Sequence, residues 1–296
     1  MNYRHAYHAG NFADVLKHLV LTLVIEHLKL KPSPFRVVDT HAGTGRYDLR
    51  CVEAEKTGEW RTGIGRLLGA PRPADIEEIV APYVQLLDSD RDASGVLAHY
   101  PGSPLVARRL MRTGDRLVVN ELHPDDGELL ADLFHHDAQT KVMGLDGYTA
   151  LKALLPPKER SGAVLIDPPF EEAGEFTRMA RALVEAQRRF ATGTLILWYP
   201  IKERAAVDRF YDLIVATCPA KTLVTELRVS ADPPGGKGLV ATGLAVVNPP
   251  YTLAPRLEVL VPFLARLMAV GAGAAADVRW LVGERESKDQ GGADTG

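Results

Sequence analysis

Four apolar runs in this chain, each rich in Val, Leu or Ile, stop abruptly at an acidic residue, and helical stretches separate them. The runs are Phe35-Arg36-Val37-Val38-Asp39, Arg116-Leu117-Val118-Val119-Asn120 before Glu121, Lys141-Val142-Met143-Gly144 before Leu145-Asp146-Gly147, and Ala163-Val164-Leu165-Ile166 before Asp167. Short β-forming runs that alternate with helices specify an open, mostly parallel sheet. The carboxyl ends of such strands share one edge, so the four acids converge on one crevice. An acid at one strand end is usually just solvated; four in succession point to a ligand.

The last of these runs carries the sharpest chemistry, Asp167-Pro168-Pro169-Phe170. Two prolines donate no backbone N–H, which leaves the local carbonyls and the Asp167 carboxylate as acceptors without competing donors nearby. That arrangement suits a substrate amino group, and Phe170 offers a face for a planar base. By itself the tetrad reads equally as a stiff strand stop. A second tetrad, Asn248-Pro249-Pro250-Tyr251, looks even more like an amine-methylating motif. It follows the seventh strand rather than the fourth, so it is assigned to structure or to substrate-side contact.

The first run enters a glycine turn, Thr40-His41-Ala42-Gly43-Thr44-Gly45. The third glycine of a dinucleotide fingerprint would fall on Asp48, which would repel a pyrophosphate. A phosphate-free nucleoside ligand such as S-adenosylmethionine is favoured over NAD or FAD. Glu121 arrives much later than the spacing of about 20 residues normal for a ribose-binding acid, so a helical lobe is inserted between the two strands. It contains an apolar stripe over Ala74 to Leu87 and ends at the Tyr100-Pro101-Gly102-Ser103-Pro104 turn. Ser103 either caps the next helix or places its hydroxyl at the ligand.

Before the first strand, Asn2 to Asn11 is dense in Tyr, Arg and His, and a helix starts at Phe12 with Asn11 or Asp14 as possible cap. Asp14, Lys17 and His18 share one face of it. Further on, helices are expected over Pro124 to Phe134, Tyr148 to Leu155, Glu172 to Phe190, Ala205 to Ala216 and Leu257 to Val270. Strands are expected over Thr194 to Tyr199, Lys221 to Val229, Leu239 to Val247 and Val278 to Val282, with a mobile hairpin tip at Pro233 to Gly238.

Composition bounds the function. With 296 residues, 46% hydrophobic and 25% charged, the chain has the make-up of an ordinary globular protein. A net charge of −3 gives no overall basic footprint, so any nucleic acid must be met by a local patch, for which Arg4, Arg46, Arg61 and Arg66 are candidates. The two cysteines, Cys51 and Cys218, form no CxxC and fit a reducing, cytoplasmic setting. Residues 1–15 do not read as a signal peptide, and no apolar run is long enough to imply a membrane role. His5, His8, His18 and His41 raise a metal site as an alternative, but no HExxH or acidic second layer accompanies them, and no metal is expected.

Order and chemistry together correspond to a class I, Rossmann-like methyltransferase: a glycine turn under the methionine part, Glu121 accepting from the ribose hydroxyls, Asp146 at the adenine amino group and a catalytic tetrad at Asp167. The expected sheet is seven-stranded and mostly parallel, with an inserted helical lobe. The expected divisions are 1–49 for the recognition block, first helix and first strand with its glycine turn, 50–115 for the lobe, 116–284 for the rest of the methyltransferase domain, and 285–296 for a disordered tail.

The segments YRHAYHAGNFADVLKH, DTHAGTGRYDL, YPGSP, NELHP, LDGY, IDPPFE, WYPIK and the late NPP resemble the bacterial 23S rRNA adenine-N6 methyltransferase family, ribosomal large subunit methyltransferase J. The likeness runs from Asn2 to about Glu284. It implies transfer of one methyl from S-adenosylmethionine to N6 of an adenine in 23S rRNA by a cytoplasmic monomer. Carried over by motif position, it implies cofactor contacts at His18, His41, Gly43, Ser103, Glu121, Asp146, Gly147 and Asp167. Catalytic roles fall on Asp167, Pro168 and Phe170, and an RNA-side role on Tyr3 with His5 and Lys17 in support. Phe170 stands where the family often has Tyr, which keeps the stacking face and loses a hydroxyl. Competing readings are a DNA adenine-N6 or protein glutamine methyltransferase, which leaves the N-terminal block unexplained, and a catalytically silent RNA-binding protein, against which the retained acids argue.

Overall fold

The computed structural model describes residues 4–233 and 238–283. The first α-helix, α1 (Phe12–Leu28), is capped by Asn11, whose side chain accepts from the Ala13 and Asp14 amides. Its residues from Phe12 to Ile25 are buried on every face. A helix buried all round belongs inside a protein, and α1 lies between the sheet and later helices, with its polar residues Asp14, Lys17 and His18 paired internally.

After β1 (Arg36–Asp39) come β2 (Arg46–Asp48), α2 (Val52–Thr57), α3 (Glu59–Thr62), α4 (Ile64–Gly69), α5 (Ala74–Leu86), β3 (His99–Pro101) and α6 (Ser103–Leu110). This is the inserted stretch. It is mostly helical, and β2 and β3 pair antiparallel to close it as a loop. Its apolar residues Ile64, Leu67, Ile76, Val80 and Tyr83 join the same core as α1, and α5 and α6 pack directly on α1.

The chain continues with β4 (Arg116–Asn120), α7 (Pro124–Leu133), β5 (Thr140–Met143), α8 (Gly147–Leu154), β6 (Gly162–Ile166), α9 (Glu175–Arg189), β7 (Thr194–Pro200), α10 (Arg204–Thr217), β8 (Thr222–Arg228), β9 (Ala241–Val247), α11 (Leu253–Leu267) and β10 (Ala275–Val282). The main sheet runs β10-β8-β9-β7-β6-β1-β4-β5. Strands β7, β6, β1, β4 and β5 are parallel, whereas β9 is antiparallel to both of its neighbours and β10 is antiparallel to β8. One hydrophobic core fills the α1 side, and a second, built around β6, β7, α9 and α10, fills the other.

The expected seven strands are eight. β10 is three residues longer than the sequence pattern suggests and pairs along the outer edge of β8, which would otherwise present unpaired backbone groups to water. Two helix boundaries also move. α9 starts at Glu175 because Gly174 takes φ +84°, a turn conformation. α11 starts at Leu253, directly after the second proline tetrad. The path through the main sheet starts at β1, steps outward through β4 and β5, then returns to β6 on the other side of β1. That reversal opens the crevice at the strands' carboxyl ends.

Candidate active site

A cavity of about 1310 Å³ opens at this edge of the sheet. Its wall contains His5, Lys17, His18, His41, Gly43, Ser103, Glu121, Asp146, Gly147, Asp167, Pro168 and Phe170, so all the site residues expected from the sequence that are described come together there. Tyr3 lies outside the described residues, as do the tail 285–296 and residues 234–237 of the expected hairpin tip.

On the β1–β4–β5 side the groups are held by backbone. Glu121 accepts from the Gly43 amide through Oε2 and from the His123 amide through Oε1, both at 2.8 Å. Each oxygen keeps a lone pair, so the carboxylate can still accept from two neighbouring hydroxyls. Gly43 has φ +58°, and a Cβ there would collide with the Tyr47 hydroxyl. A Cβ on Gly147 would collide with His41 Nε2. The Thr40 hydroxyl donates to the Leu165 carbonyl, so its contact with His41 Nδ1 requires that nitrogen to carry the proton. Burial also holds the His41 pKa below its ordinary value. The result is a neutral imidazole with an acceptor at Nε2 over Gly147. Asp146 is exposed and caps α8 by accepting from the Thr149 amide at 2.8 Å.

His18 is 1% exposed; its Nδ1 meets the Tyr100 hydroxyl at 2.9 Å, while its Nε2 is buried with no hydrogen-bond partner among the described residues. Burial pushes its pKa down to about 3, so it stays neutral. Ser103 is the first residue of α6, not its cap, which is Gly102. Its hydroxyl donates to Asp39 Oδ2 at 2.6 Å. Asp39 is itself buried, and burial raises its pKa to about 7 in spite of that bond.

On the β6 side, Asp167 is not without a donor nearby, contrary to the expectation from the two prolines. Lys17, reaching across from α1, places Nζ 2.6 Å from Asp167 Oδ2 and 2.8 Å from Asp14 Oδ1. Burial alone would strip the lysine of its proton; the two carboxylates outweigh it and hold its pKa well above the usual value. Asp14 is buried too, and its Oδ2 takes the His5 ring at 2.8 Å and the Gly10 amide at 3.0 Å. Its pKa lies well below normal because His5 and Lys17 overcome the cost of burial. Asp167 Oδ1 and the Pro168 carbonyl accept no hydrogen bond among the described residues. Phe170 sits at φ +51°, tilted edge-on to Trp198 and Phe176 with ring centres 5.9 and 5.0 Å away.

The second tetrad is elsewhere. Because β9 runs antiparallel, its carboxyl end lies at the opposite edge of the sheet, which rules out substrate-side contact within this cavity. Asn248, at φ +49°, donates to the Ala191 and Gly193 carbonyls and locks the strand into the loop before β7. Asp48 likewise stands away from the cavity, in β2. The glycine turn runs into a strand and lacks the helix N-terminus that would hold a pyrophosphate, so the case against dinucleotides rests on that rather than on the Asp48 charge. Three of the four candidate arginines serve structure: Arg46 pairs with Asp90, Arg61 with Glu55, and Arg66 donates to the carbonyls of Leu267 and Ala269. The four histidines have separate partners, with His8 on Glu59, and no metal-holding group of His, Cys, Asp or Glu occurs among the described residues. No helix among them is long and apolar enough to cross a membrane.

Sequence reasoning gave no role to Asn120, and it gave Asp14 only a place as a possible cap and on one face with Lys17 and His18, not as the ion-pair partner of Lys17. Asn120 is fully buried and clamps three strand ends, donating to the Thr40 and Leu145 carbonyls and accepting from the Leu145 amide. An amide side chain at the last position of an otherwise apolar strand was the available signal.

Comparison with known proteins gives a consistent picture. The family model described as "Ribosomal RNA large subunit methyltransferase D, RlmJ" matches residues 32–282. The chain is similar to two proteins named Ribosomal RNA large subunit methyltransferase J. The one from Haemophilus influenzae is 41% identical over 284 residues, 96% of this chain and all of that protein. The one from Escherichia coli is 43% identical over 286 residues, with the same coverage. A crystal structure of a Legionella pneumophila protein superposes with a TM-score of 0.80 at 31% identity, covering 95% of this chain and 99% of that one.

Proposed function

The chain belongs to the ribosomal RNA large subunit methyltransferase J family, and on that premise we propose that it places a single methyl on N6 of an adenine in 23S rRNA. It is an S-adenosylmethionine-dependent rRNA methyltransferase; the adenine amine, the 23S molecule and a monomeric, cytoplasmic mode of action are our reading. The observation that carries this reading is the pair of open acceptors, Asp167 Oδ1 and the Pro168 carbonyl, beside a wall built for a nucleoside.

The wall fits S-adenosylmethionine. Glu121 offers acceptors to vicinal ribose hydroxyls, Gly43 and Gly147 let the Tyr47 and His41 rings close on the backbone of the wall, and the unpartnered His18 Nε2 is left for a polar ligand. Among the described residues no lysine or arginine lines the β1–β4–β5 side, as suits a ligand without phosphates. His41, Ser103, Asp146 and Asp167 complete the set. Bound there, S-adenosylmethionine supplies a sulfonium methyl as electrophile.

The amine of adenine is a weak nucleophile because its lone pair is delocalised into the ring. With its two N–H groups donated to Asp167 Oδ1 and the Pro168 carbonyl, the nitrogen is held pyramidal and its lone pair is aimed. Lys17 fixes the carboxylate through Oδ2 and leaves Oδ1 for the substrate. The carboxylate stabilises the positive charge that grows on N6 and accepts the proton afterwards. Phe170 receives a base turned out of its stack, and Tyr3 and His5 act on the RNA side.

Asp167→Ala should leave S-adenosylmethionine binding measurable by calorimetry and abolish transfer to transcribed 23S rRNA. Unchanged turnover in a labelled-methyl assay overturns the assignment, and nucleoside mass spectrometry of the product identifies the methylated atom.

A further inference from the structure

The charges around the cavity are unevenly spent. Among the described residues eight acids line it, including Glu121 and Asp146 on the cofactor side and Glu171, Glu172 and Glu175 beyond Asp167. Three described lysines and arginines face them. Lys17 is buried between Asp14 and Asp167, and Arg178 is held by Glu172 and Glu175. The third, Lys202, is exposed and, alone among the described lysines and arginines of the wall, belongs to no ion pair.

The sheet order gives this lysine a direction. Along the edge the strand ends run β4 with Glu121, β1 with Asp39, β6 with Asp167, then β7 with Pro200. A nucleoside held by Glu121 occupies one end of the line, so the substrate base reaches Asp167 from the other, where Lys202 stands. The backbone just before it is fixed. Ile201 is buried and its amide donates to the Ala241 carbonyl at 2.9 Å. The ammonium therefore swings on its own stem from an anchored point at the rim.

A base turned into this cavity carries its flanking phosphates to the mouth. An acidic rim on a chain of net charge −3 repels them. We propose that Lys202 binds the backbone phosphate next to the methylated nucleotide and so offsets that repulsion where the strand enters. This rests on the reading that RNA is the substrate of this cavity. A lysine suits the task, since a flexible point charge can follow a phosphate without a fixed fork geometry.

The test compares wild type, Lys202→Ala, Lys202→Arg and Lys158→Ala, the last removing one positive charge at the opposite edge of the sheet. The probe is transcribed, unmodified 23S rRNA, with KM and RNA affinity measured across a salt series and S-adenosylmethionine affinity measured separately. Lys202→Ala should raise the KM for RNA roughly three- to tenfold and lower the slope of log affinity against log salt by about 0.7, the value for one contact to a single strand. S-adenosylmethionine affinity should stay at wild-type level, which also certifies the fold. Lys202→Arg should restore KM, and Lys158→Ala should behave as wild type. A wild-type KM and salt slope in Lys202→Ala overturns the phosphate assignment alone, as does equal weakening by Lys158→Ala. A wild-type protein that transfers no methyl to the RNA overturns the reading beneath it.

Discussion

Asp14→Asn removes one negative charge from the buried cluster and leaves the shape of the side chain unchanged. Asp14 is 2% exposed, and it takes Lys17 Nζ on one oxygen and the His5 ring and Gly10 amide on the other. Breaking a buried ion pair by deleting one partner costs about 3–5 kcal/mol, because the surviving charge is stranded. Here the low end applies, about 3 kcal/mol, since the asparagine oxygen still accepts from one donor and Lys17 keeps Asp167. Unfolding entropy near 2 cal/mol/K per residue over 296 residues gives roughly 0.6 kcal/mol/K, so Tm should fall by about 5 °C. Calorimetry on Asp14→Asn, Lys17→Met and the double variant closes a cycle. With both charges gone neither member of the Asp14–Lys17 pair is stranded, and the loss of Lys17 from Asp167 is common to Lys17→Met and the double variant, so the double variant should be more stable than the sum of the single losses by about 2 kcal/mol or more. Additivity within about 0.5 kcal/mol would refute the claim that Asp14 is the partner that keeps Lys17 charged inside the protein.

Two further substitutions test other parts of the description. Asp39 has a folded pKa near 7 against 3.8 in the unfolded chain, so its protonated form is the one the fold prefers. Stability from that preference is full below pH 3.8 and lost as pH rises to about 7; the Tm advantage of Asp39→Asn over wild type should grow across that window and then level off, whereas a difference independent of pH would contradict the buried-acid reading. Asn248→Ala loses two hydrogen bonds and puts alanine at φ +49°. It should lower stability by about 2 kcal/mol and leave the kcat of methyl transfer unchanged, and a catalytic defect in a folded variant would return the second tetrad to the reaction.

The strand ends were readable because each is written locally: an apolar run, then an acid, with glycine or proline next to it or within four residues. Gly147 and Glu121 could be placed in the crevice on that basis, and the helices between them follow from ordinary apolar spacing. What could not be read was direction and reach. Nothing near Asn248 states that β9 runs antiparallel, yet that reversal separates two nearly identical tetrads by the height of the sheet. Nothing near Asp167 names Lys17, 150 positions away, as its partner. β10 was underestimated because its residues are only partly buried and carry little alternation. Gly174 and the Pro250–Thr252 turn moved helix starts through backbone conformation, which composition does not register.

The enclosure of α1 has a temporal consequence. The segment bearing Asp14, Lys17 and His18 is made before its surroundings, which include β6, β7, β9, α5, α6 and α11, the last of which begins at Leu253. A growing chain must therefore carry an apolar helix without its berth until most of the protein has been synthesised, the situation in which distant pairings slow folding and expose sticky surface. A chain interrupted before Leu253 holds every residue that touches the reaction and still lacks α11, one wall of the berth around α1, so such fragments should transfer methyl to RNA less well than the whole chain.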